Sequence, residues 1–531
     1  MIWKILIWIV VSIGVLVGLG AALVGYFLSN PVDNFSAVYV ENCGACHGES
    51  LEGTQIGPAL IGRDLVHGES VAELVHSISN GFPERGMPPW SKNFDDGTIE
   101  SLAIYVAEKR ADQDFTDFKN DQPLELPTDV VRSEYYDFRV ELVAEGIHHL
   151  PFSIQPLPDG RILLVEKTQG IRIIERDGSL SDLITGAPQA YEASIDVGIE
   201  LMGIGWLMDI ALHPDYENNG WVYLHYGDRC EECEGIMPIS MNRVVRARIE
   251  DGQWVDEQDV WKVDESFYTS MTDMAAGGRI CFDDAGYLYI SIGMKGASNH
   301  HGIQDMTTPY GKIHRVHDDG RVPLDNPFLA QAGAWQSAWT FGHRSPQGLE
   351  IDPRTGALWG TEMGPRGGDE LNLLAPGRNF GWPLTSKGVD YDGSPVEYGK
   401  DLGIEFDIED IEQPKIDFTP SPAISSFVFY DGAPFADWGH NLLIGSLRAT
   451  ELYRVVTDGE RIIERETILE DFARIRDIEI GFDGLPYLLL EHNLGSYVVR
   501  LVPVARHHTE QNTAEQNTAS LGAEPGEIEH G

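Results

Sequence analysis

Basic residues are scarce in this sequence. Its 531 residues include 38 Lys and Arg against 84 Asp and Glu, which gives a formal net charge of −46. Such an acidic surface repels nucleic acid and anionic lipid headgroups, so the class of proteins that bind polyanions through basic patches is excluded. We therefore expect no nucleic-acid partner. A well-solvated surface explains the acidity more simply than a basic redox partner does.

Cysteine is scarce as well, with five residues. Cys230 and Cys233 form a Cys-x-x-Cys pattern, but no histidine follows it, which excludes haem attachment there. In an oxidising compartment a short loop disulfide is the favoured interpretation, because a metal site would need two further ligands that we cannot locate in the sequence. Cys281, between Ile280 and Phe282, is predicted to be a small buried residue.

Long helical patterns are absent from residues 135–504. Short runs rich in Ile, Val, Leu and Tyr alternate there with turns of Gly, Asp and Pro, which is typical of short strands. One unit, an acidic turn followed by a glycine and a strand, occurs six times, with the turns at Leu157, His213, Asp283, Asp352, Asp437 and Asp483. Repeats of this kind predict a mainly β fold, a six-bladed β-propeller. A two-sheet sandwich is the alternative, but it would not repeat the turn so often.

A haem-attachment motif, CGACH, occupies residues 43–47. In such a motif Cys43 and Cys46 bond to the haem vinyl groups and His47 is an axial ligand of the iron. Downstream, Met87 lies in the rigid run GMPPW, and a thioether opposite the imidazole would raise the reduction potential. The segment from Ser36 to Arg110 resembles a class I cytochrome c. We therefore predict a small all-α cytochrome c domain with one covalent haem c at residues 31–110.

The two ends of the chain and one internal stretch complete the predicted domain organisation. An apolar run at residues 5–28 follows Lys4 and is long enough to span a bilayer, so residues 1–30 are predicted to be a transmembrane anchor. A long cleaved signal peptide is the alternative. Either interpretation places the bulk of the chain in the periplasm, and the anchor would hold it at the inner membrane. Residues 111–134 are predicted to be an acidic linker and residues 505–531 a disordered tail.

Five motifs in the propeller region carry a family resemblance. They are GKIHR at residues 311–315, GHRSPQGL at 342–349, EMGPRGGDELN at 362–372, NFGWP at 379–383 and RIRD at 474–477. Together they resemble the soluble glucose, aldose and sorbosone dehydrogenases, which use pyrroloquinoline quinone (PQQ). The resemblance implies a six-bladed propeller that oxidises the anomeric carbon of sugars. A histidine base takes the hydroxyl proton, hydride passes to the quinone, and Ca²⁺ polarises the cofactor.

The resemblance also assigns residues to the two propeller cofactors. The cations expected to hold the PQQ carboxylates are Arg344, Arg448, Arg474 and Arg476. Gly364 and Pro365 match backbone carbonyls that bind the cofactor's calcium, and Asp369 and Glu370 match an acidic pair near a second calcium site. The alternative is that the arginines only tie loops together through ion pairs.

The catalytic positions depart from the family pattern. Ala275 stands where the family has its base, and Ile204 replaces a glutamine that contacts the cofactor. Ser345, Met294 and Met363 likewise replace polar family residues. Because an alanine cannot accept a proton, another group would have to serve as the base. The candidates are Asp273, His300 and His301, followed by His148 and His149 at the first blade, and a solvated loop position is the alternative for each of them.

The sequence supports two main hypotheses for the function and a third, minor one. The first is a membrane-anchored periplasmic oxidoreductase whose propeller oxidises a sugar, alcohol or aldehyde and reduces the fused haem, which then passes electrons to a respiratory acceptor. The second is an electron-transfer cytochrome whose degenerate propeller serves as a binding or scaffold module. A third, minor hypothesis is a copper site built from methionines near the same mouth, although packing explains methionines there more simply.

Overall fold

The computed structural model describes residues 34–111, 122–192, 203–233, 238–295, 300–396 and 398–504. The predicted anchor at residues 1–30 and the predicted tail at residues 505–531 lie outside the described residues, as do residues 112–121 of the predicted linker. Within the described ranges no helix is both long enough and apolar enough to cross a membrane.

The N-terminal domain is helical, as the sequence predicts. Helix α1 is Asn34–Tyr39, and a π-helical turn at Val40–Gly44 joins it to α2, Ala45–His47. Helix α3 is Val71–Asn80 and α4 is Asp96–Arg110. Ser70 caps α3 by accepting a hydrogen bond from the Glu73 amide, while the Glu73 carboxylate accepts one from the Ser70 amide. The core of this domain packs α1, α3 and α4 together through apolar side chains such as Tyr39, Leu74 and Leu102.

Six sheets follow, and they confirm the predicted six blades. The first holds β3 (Pro151–Pro156), β4 (Ile162–Glu166) and β5 (Gly170–Ile174); the second holds β6 (Leu207–Leu212), β7 (Val222–Cys230), β8 (Ile239–Glu250) and β9 (Gln253–Trp261). The third holds β10 (Gly277–Phe282), β11 (Tyr287–Ile292), β12 (Lys312–His317) and β13 (Ala338–Phe341); the fourth holds β14 (Pro346–Ile351), β15 (Leu358–Glu362), β16 (Glu370–Leu373) and β17 (Ile416–Asp417). The fifth holds β18 (Ile424–Phe429), β19 (Leu442–Ser446), β20 (Leu452–Asp458) and β21 (Arg461–Leu469). Three short helices lie between strands: α5 (Tyr216–Asn219), α6 (His300–Gln304) and α7 (Tyr398–Leu402).

The sixth sheet closes the ring by joining the two ends of the propeller. It contains β22 (Arg474–Ile480), β23 (Pro486–Glu491) and β24 (Ser496–Val504), together with β1 (Val131–Arg132) and β2 (Asp137–Ile147). Strand β2 pairs with β24 from Asp137 opposite Val504 to Ile147 opposite Ser496. The predicted linker ends earlier than expected, because Leu124, Leu126 and Val131 pack against the core of this blade.

The six repeated turns occupy equivalent places in the fold. Each one connects the first strand of a blade to the second; for example, residues 157–161 lie between β3 and β4, and residues 483–485 lie between β22 and β23. In four of the turns the acidic residue accepts a hydrogen bond from the amide two positions later, as Asp159 does from Arg161 and Asp483 from Leu485. The repeat therefore marks one end of every blade, and the first strands of neighbouring blades contact each other around the central axis.

Candidate functional site: the haem pocket and the propeller mouth

An apolar cavity of about 280 Å³ lies inside the helical domain. Cys43, Cys46, His47 and Met87 all line it, and residues of α3 and α4 close its sides. The structure therefore brings the four predicted haem residues to one pocket. A flat apolar macrocycle carrying an iron fits this combination of two thiols, an imidazole and a thioether.

The imidazole of His47 is held in one tautomer. Its Nδ1 lies 2.8 Å from the carbonyl oxygen of Pro58. Because a carbonyl oxygen can only accept a hydrogen bond, Nδ1 must carry the proton, which leaves the lone pair of Nε2 for a metal. Pro58 belongs to the GPAL run that follows the haem motif, so this short loop orients the axial ligand.

The topology brings the propeller candidates to one end of the ring, which we call the mouth. It consists of the segments that precede the first strands and the turns that follow the second strands, because antiparallel pairing places these side by side. Arg474 pairs with Glu491 and Pro346 with Glu362, at the starts of β22 and β14. The candidates at the mouth are Ala275, Met294, Arg344, Ser345, Met363, Gly364, Arg448, Arg474 and Arg476.

Three cations at the mouth share one carboxylate. Glu491 accepts hydrogen bonds from Arg474 Nη2 at 2.7 Å and from Arg476 Nε at 2.8 Å, and Lys167 Nζ lies 3.4 Å from its Oε2. Burial raises the pKa of Glu491, but Arg476, Lys167 and Arg474 more than offset this effect and hold its pKa well below the ordinary value. Burial and the nearby Arg476 lower the pKa of Lys167 to about 7. This excess of positive charge fits an anionic ligand such as the PQQ tricarboxylate.

Sequence reasoning missed Lys167 and Glu491. Glu491 ends the second strand β23 directly after three leucines, and Lys167 follows the second strand β4, whose apolar run ends at Val165 before Glu166. A charged residue at the end of an apolar strand was the available signal. However, the two residues are 324 positions apart, so only the closed ring shows that they meet.

Arg344 and Arg448 point to other partners. Arg344 Nη1 donates to the carbonyl oxygens of Met363 at 3.1 Å and Gly364 at 2.9 Å, while its Nη2 donates to the Tyr391 hydroxyl at 2.9 Å. Arg448 donates to the carbonyl of Ser421. The arginines thus sit at the mouth, and two of them also hold loops there.

The arrangement does not fit calcium at Gly364 and Asp369, two of the four residues predicted to bind it. The Gly364 carbonyl faces the Arg344 guanidinium, and both Asp369 oxygens accept amide hydrogen bonds, from Gly364 at 3.0 Å and Ile424 at 2.7 Å. Burial raises the pKa of Asp369 to about 6 and that of Glu370 to about 8. Ca²⁺ needs several ionised or carbonyl oxygens turned toward one point, whereas the oxygens of Gly364 and Asp369 are engaged by N–H donors.

The candidate bases are placed very differently. Asp273 is buried, pairs with Lys295, and accepts hydrogen bonds from the amides of Gly205 at 2.6 Å and Trp206 at 2.8 Å. Its carboxylate therefore holds the loop under the mouth, and this position argues against a role as base. Ala275 lies above it and is partly exposed.

The histidine candidates lie nearer to the mouth opening. The His300 ring is 4.3 Å from the Tyr398 ring and 6.0 Å from the Trp382 ring, and the Arg344 guanidinium lies 5.2 Å from the same Trp382 ring. The side chain of His301 lies outside the described residues. The rings of His148 and His149, before β3, lie 4.1 Å apart and are tilted by 44°, and burial lowers the pKa of His148.

The remaining sulfur residues have structural roles. Cys230 and Cys233 form a disulfide, which confirms that prediction, and Cys281 is buried. Met363 packs against the apolar core between the fourth and fifth blades, whereas Met274 is exposed. Of the methionines considered for a copper site, Met202 lies outside the described residues.

Known proteins match the two parts of the chain separately. A family model described as "Glucose / Sorbosone dehydrogenase" matches residues 148–500, and one described as "Cytochrome C oxidase, cbb3-type, subunit III" matches residues 30–106. Aldose sugar dehydrogenase YliI of Escherichia coli (strain K12) is 31% identical over 364 residues, covering 67% of this chain and 91% of its own length.

Two further comparisons agree with that division. A crystal structure of a glucose dehydrogenase is 32% identical, with a TM-score of 0.60 and coverage of 69% of this chain and 99% of the other. The cbb3-type cytochrome c oxidase subunit CcoP of Azospirillum brasilense is 47% identical over 76 residues, which is 13% of this chain and 25% of its own.

Fold and pocket together define a class: a c-type cytochrome domain joined to a six-bladed propeller of the PQQ-dehydrogenase type. Within that class, the chain belongs to the glucose / sorbosone dehydrogenase family.

Proposed function

We propose that this protein is a periplasmic, membrane-anchored oxidoreductase that oxidises a sugar, alcohol or aldehyde at the propeller mouth and passes the electrons to its own haem c. The observation that carries the proposal is the group of three cations around Glu491, at the mouth of a dehydrogenase-family propeller fused to a haem domain. A propeller used only as a scaffold has no need to bury excess positive charge, which is costly without an anionic ligand.

The residues of the mouth divide into holding and proton-accepting roles. Lys167, Arg474 and Arg476 would hold PQQ carboxylates, which would also raise the pKa of Lys167 and keep it charged. PQQ, when bound, supplies a two-electron acceptor. We assign the substrate's hydroxyl proton to His300, the candidate base whose ring shares the neighbour Trp382 with Arg344. Each substrate oxidation releases two electrons, so it reduces a one-electron haem twice.

The replacement of the family base by Ala275 supports a second candidate function. In that case the propeller is a binding or scaffold module and the cytochrome alone relays electrons. The mouth would still bind an anion, but no substrate would reduce the haem.

The test is a haem-reduction assay on the full chain in detergent. The protein is loaded with PQQ, its haem is oxidised, and aldoses, alcohols and aldehydes are added while the ferrous absorption band is followed. We expect reduction that requires PQQ and that is lost in the Arg474→Gln/Arg476→Gln variant. Normal reduction by ascorbate together with no response to any substrate would favour the scaffold function.

A further inference from the structure

Helix α4 is buried on all of its faces. Its residues 101–108 are buried without interruption, which covers more than two helical turns. Leu102 and Val106 face the haem pocket, so only one side of the helix is explained by the cytochrome core. A helix that is buried all round lies between two packed bodies, and the second body here is the propeller.

A buried ion pair joins the two domains. Arg366 Nε lies 3.0 Å from both carboxylate oxygens of Glu108, and its Nη2 lies 2.7 Å from Oε2. Glu108 is 1% exposed and Arg366 is 4% exposed. A shift of the two domains that kept either charge buried would leave it without its partner, so the pair favours this register.

Charge complementarity extends along the helix. Basic residues are scarce in this chain, yet Lys387 and Lys400 also face α4. Burial raises the pKa of Glu100; Lys387 opposes this rise, and Asp417 adds to it to a smaller extent. Lys400 adds to the lowering of the pKa of Asp95, which comes first from the hydrogen bond donated by Thr98. Together with Arg366, three cations of the propeller act on three carboxylates: Glu100 and Glu108 of α4 and Asp95, which caps its N-terminus.

Side chains of one domain lie close to the backbone of the other at two glycines. A Cβ atom placed on Gly97 of α4 would lie 2.7 Å from Pro395 Cγ, and one placed on Gly393 would lie 2.1 Å from the Phe35 ring. With Pro395 and Phe35 in place, a side chain at either glycine would crowd this contact. Residues 389–395, which we call the bridge segment, thus supply the propeller side of the interface.

The bridge segment also reaches the mouth. Val389 exchanges two backbone hydrogen bonds with Arg366, at 2.8 and 3.2 Å, and the Tyr391 hydroxyl accepts a hydrogen bond from Arg344. From Tyr391 to Pro395 the chain spans at most about 14 Å. On the other side, one helix of about 10 Å diameter separates the bridge segment from the haem pocket.

We propose that the cytochrome domain is permanently docked beside the mouth through α4, and that electrons reach the haem across α4 and the bridge segment. This inference rests on the proposed function, in which substrate oxidation at the mouth provides the electrons. The haem is a fixed internal acceptor and does not need to swing on its linker to be reduced. Each transfer would move one electron from the reduced propeller cofactor to ferric haem, which would become ferrous.

A cysteine pair tests the docking without any enzyme assay. The ideal Cβ position of Gly97 is 3.3 Å from Pro395 Cβ, close to the separation that a disulfide requires. We expect the Gly97→Cys/Pro395→Cys variant to cross-link upon mild oxidation, as shown by mass spectrometry of the digested protein. Absence of the cross-link in a folded, haem-containing protein would overturn the docked arrangement.

Glu108→Gln tests the electron route. We expect the rate of haem reduction by substrate to fall at least tenfold, while the propeller reduces a soluble dye at the wild-type rate and dithionite still reduces the haem. Glu41→Gln, on an exposed part of the cytochrome domain, is the matched control and should change neither rate. Adding the oxidised Gly97–Pro395 cross-link to Glu108→Gln should restore the rate, and reducing the cross-link should remove it again.

The outcomes separate this inference from the proposed function. If no substrate reduces the haem of the wild type, the proposed function fails, and the cross-link still decides the docking. If the wild type reduces its haem but the cross-linked protein does not, the docked arrangement is not the conducting one and the route is wrong.

Discussion

Single charged residues decide what the mouth can bind. Lys167 forms only a weak ion pair with Glu491, because Arg474 and Arg476 bind the same carboxylate at shorter distances. Its ammonium instead lies over the Trp206 ring at 5.1 Å. A buried cation that shares its counter-ion with two others destabilises the protein without cofactor and favours the binding of an anion. Removing this cation should therefore raise the free energy of unfolding and lower the affinity for the anion.

The Lys167→Met variant tests whether stability and anion affinity change in opposite directions. We expect its free energy of unfolding without cofactor to be equal to the wild-type value or higher by about 1–3 kcal/mol. Its affinity for PQQ should fall by about 1.5–3 kcal/mol, as measured by calorimetry. Lys312→Met is the comparison, because that buried lysine donates to the carbonyls of Asp305 and Tyr310 and its loss should destabilise the fold without weakening PQQ binding. Unchanged PQQ affinity in Lys167→Met would remove Lys167 from the site.

Ala275 is the residue whose reversal is most informative. Restoring the family base with Ala275→His places an imidazole at a partly exposed mouth position. General base catalysis contributes about 10²–10⁴-fold, so we expect sugar-dependent haem reduction to rise within that range. In the same background His300→Ala should become harmless, whereas alone it should nearly abolish activity. A loss of activity in Ala275→His would show that the mouth has been remodelled for a different substrate geometry.

At the scale of elements, the turn signals account for what could be predicted. Each of the six turns is written in a few adjacent residues, such as Asp159-Gly160 and Asp483-Gly484, so the number of blades was visible in the sequence. The residue pairs that meet across the ring, or between the two domains, were not visible in the sequence. Lys167 meets Glu491, and Glu108 meets Arg366, 258 positions away. No local pattern encodes such pairs, because they depend on how the ring closes and how α4 docks.

Closure itself depends on β24, which lies between β2 and β23. Val499 is fully buried there and pairs with Leu142 on one side and Leu488 on the other. Val499→Asp should lower the free energy of unfolding by about 4 kcal/mol or more, because it buries an unpaired charge in the closing blade. Val502→Asp, on the same strand but partly exposed, should cost far less. Urea unfolding followed by tryptophan fluorescence measures both, and equal losses would contradict this account of closure.

At the scale of the whole molecule, the central channel carries its own acidic charge. Asp209, Glu350, Asp477 and Glu479 line a cavity of about 190 Å³ with one cation, Arg279. Burial, together with Asp209 and Asp477, raises the pKa of Glu350 to about 8. The folded state therefore binds a proton more tightly than the unfolded chain does. The stability that this proton confers is complete below the ordinary glutamate pKa and is lost as the pH rises toward about 8.

Thermal unfolding between pH 5 and pH 8 checks that sign. We expect the wild-type unfolding temperature to fall across this interval and the fall to be clearly smaller in Glu350→Gln, which stays neutral. Glu141→Gln, on the surface beside Arg500, should leave the slope as it is. A wild-type curve that rises toward pH 8 would show that Glu350 is ionised in the folded protein throughout.

The net charge of −46 acts on the whole fold through self-repulsion. The Debye length shrinks from about 30 Å at 0.01 M salt to about 3 Å at 1 M, so added NaCl screens repulsion between distant carboxylates more than it weakens buried pairs such as Glu108–Arg366. We expect the unfolding temperature to rise steadily with NaCl, by roughly 2–4 °C for each kcal/mol of relieved repulsion. KCl at equal ionic strength should raise the unfolding temperature as much as NaCl does. Sucrose at equal osmolality should not reproduce the rise at low concentration, because it does not screen charge. A fall with salt would mean that attractive surface ion pairs outweigh the net charge.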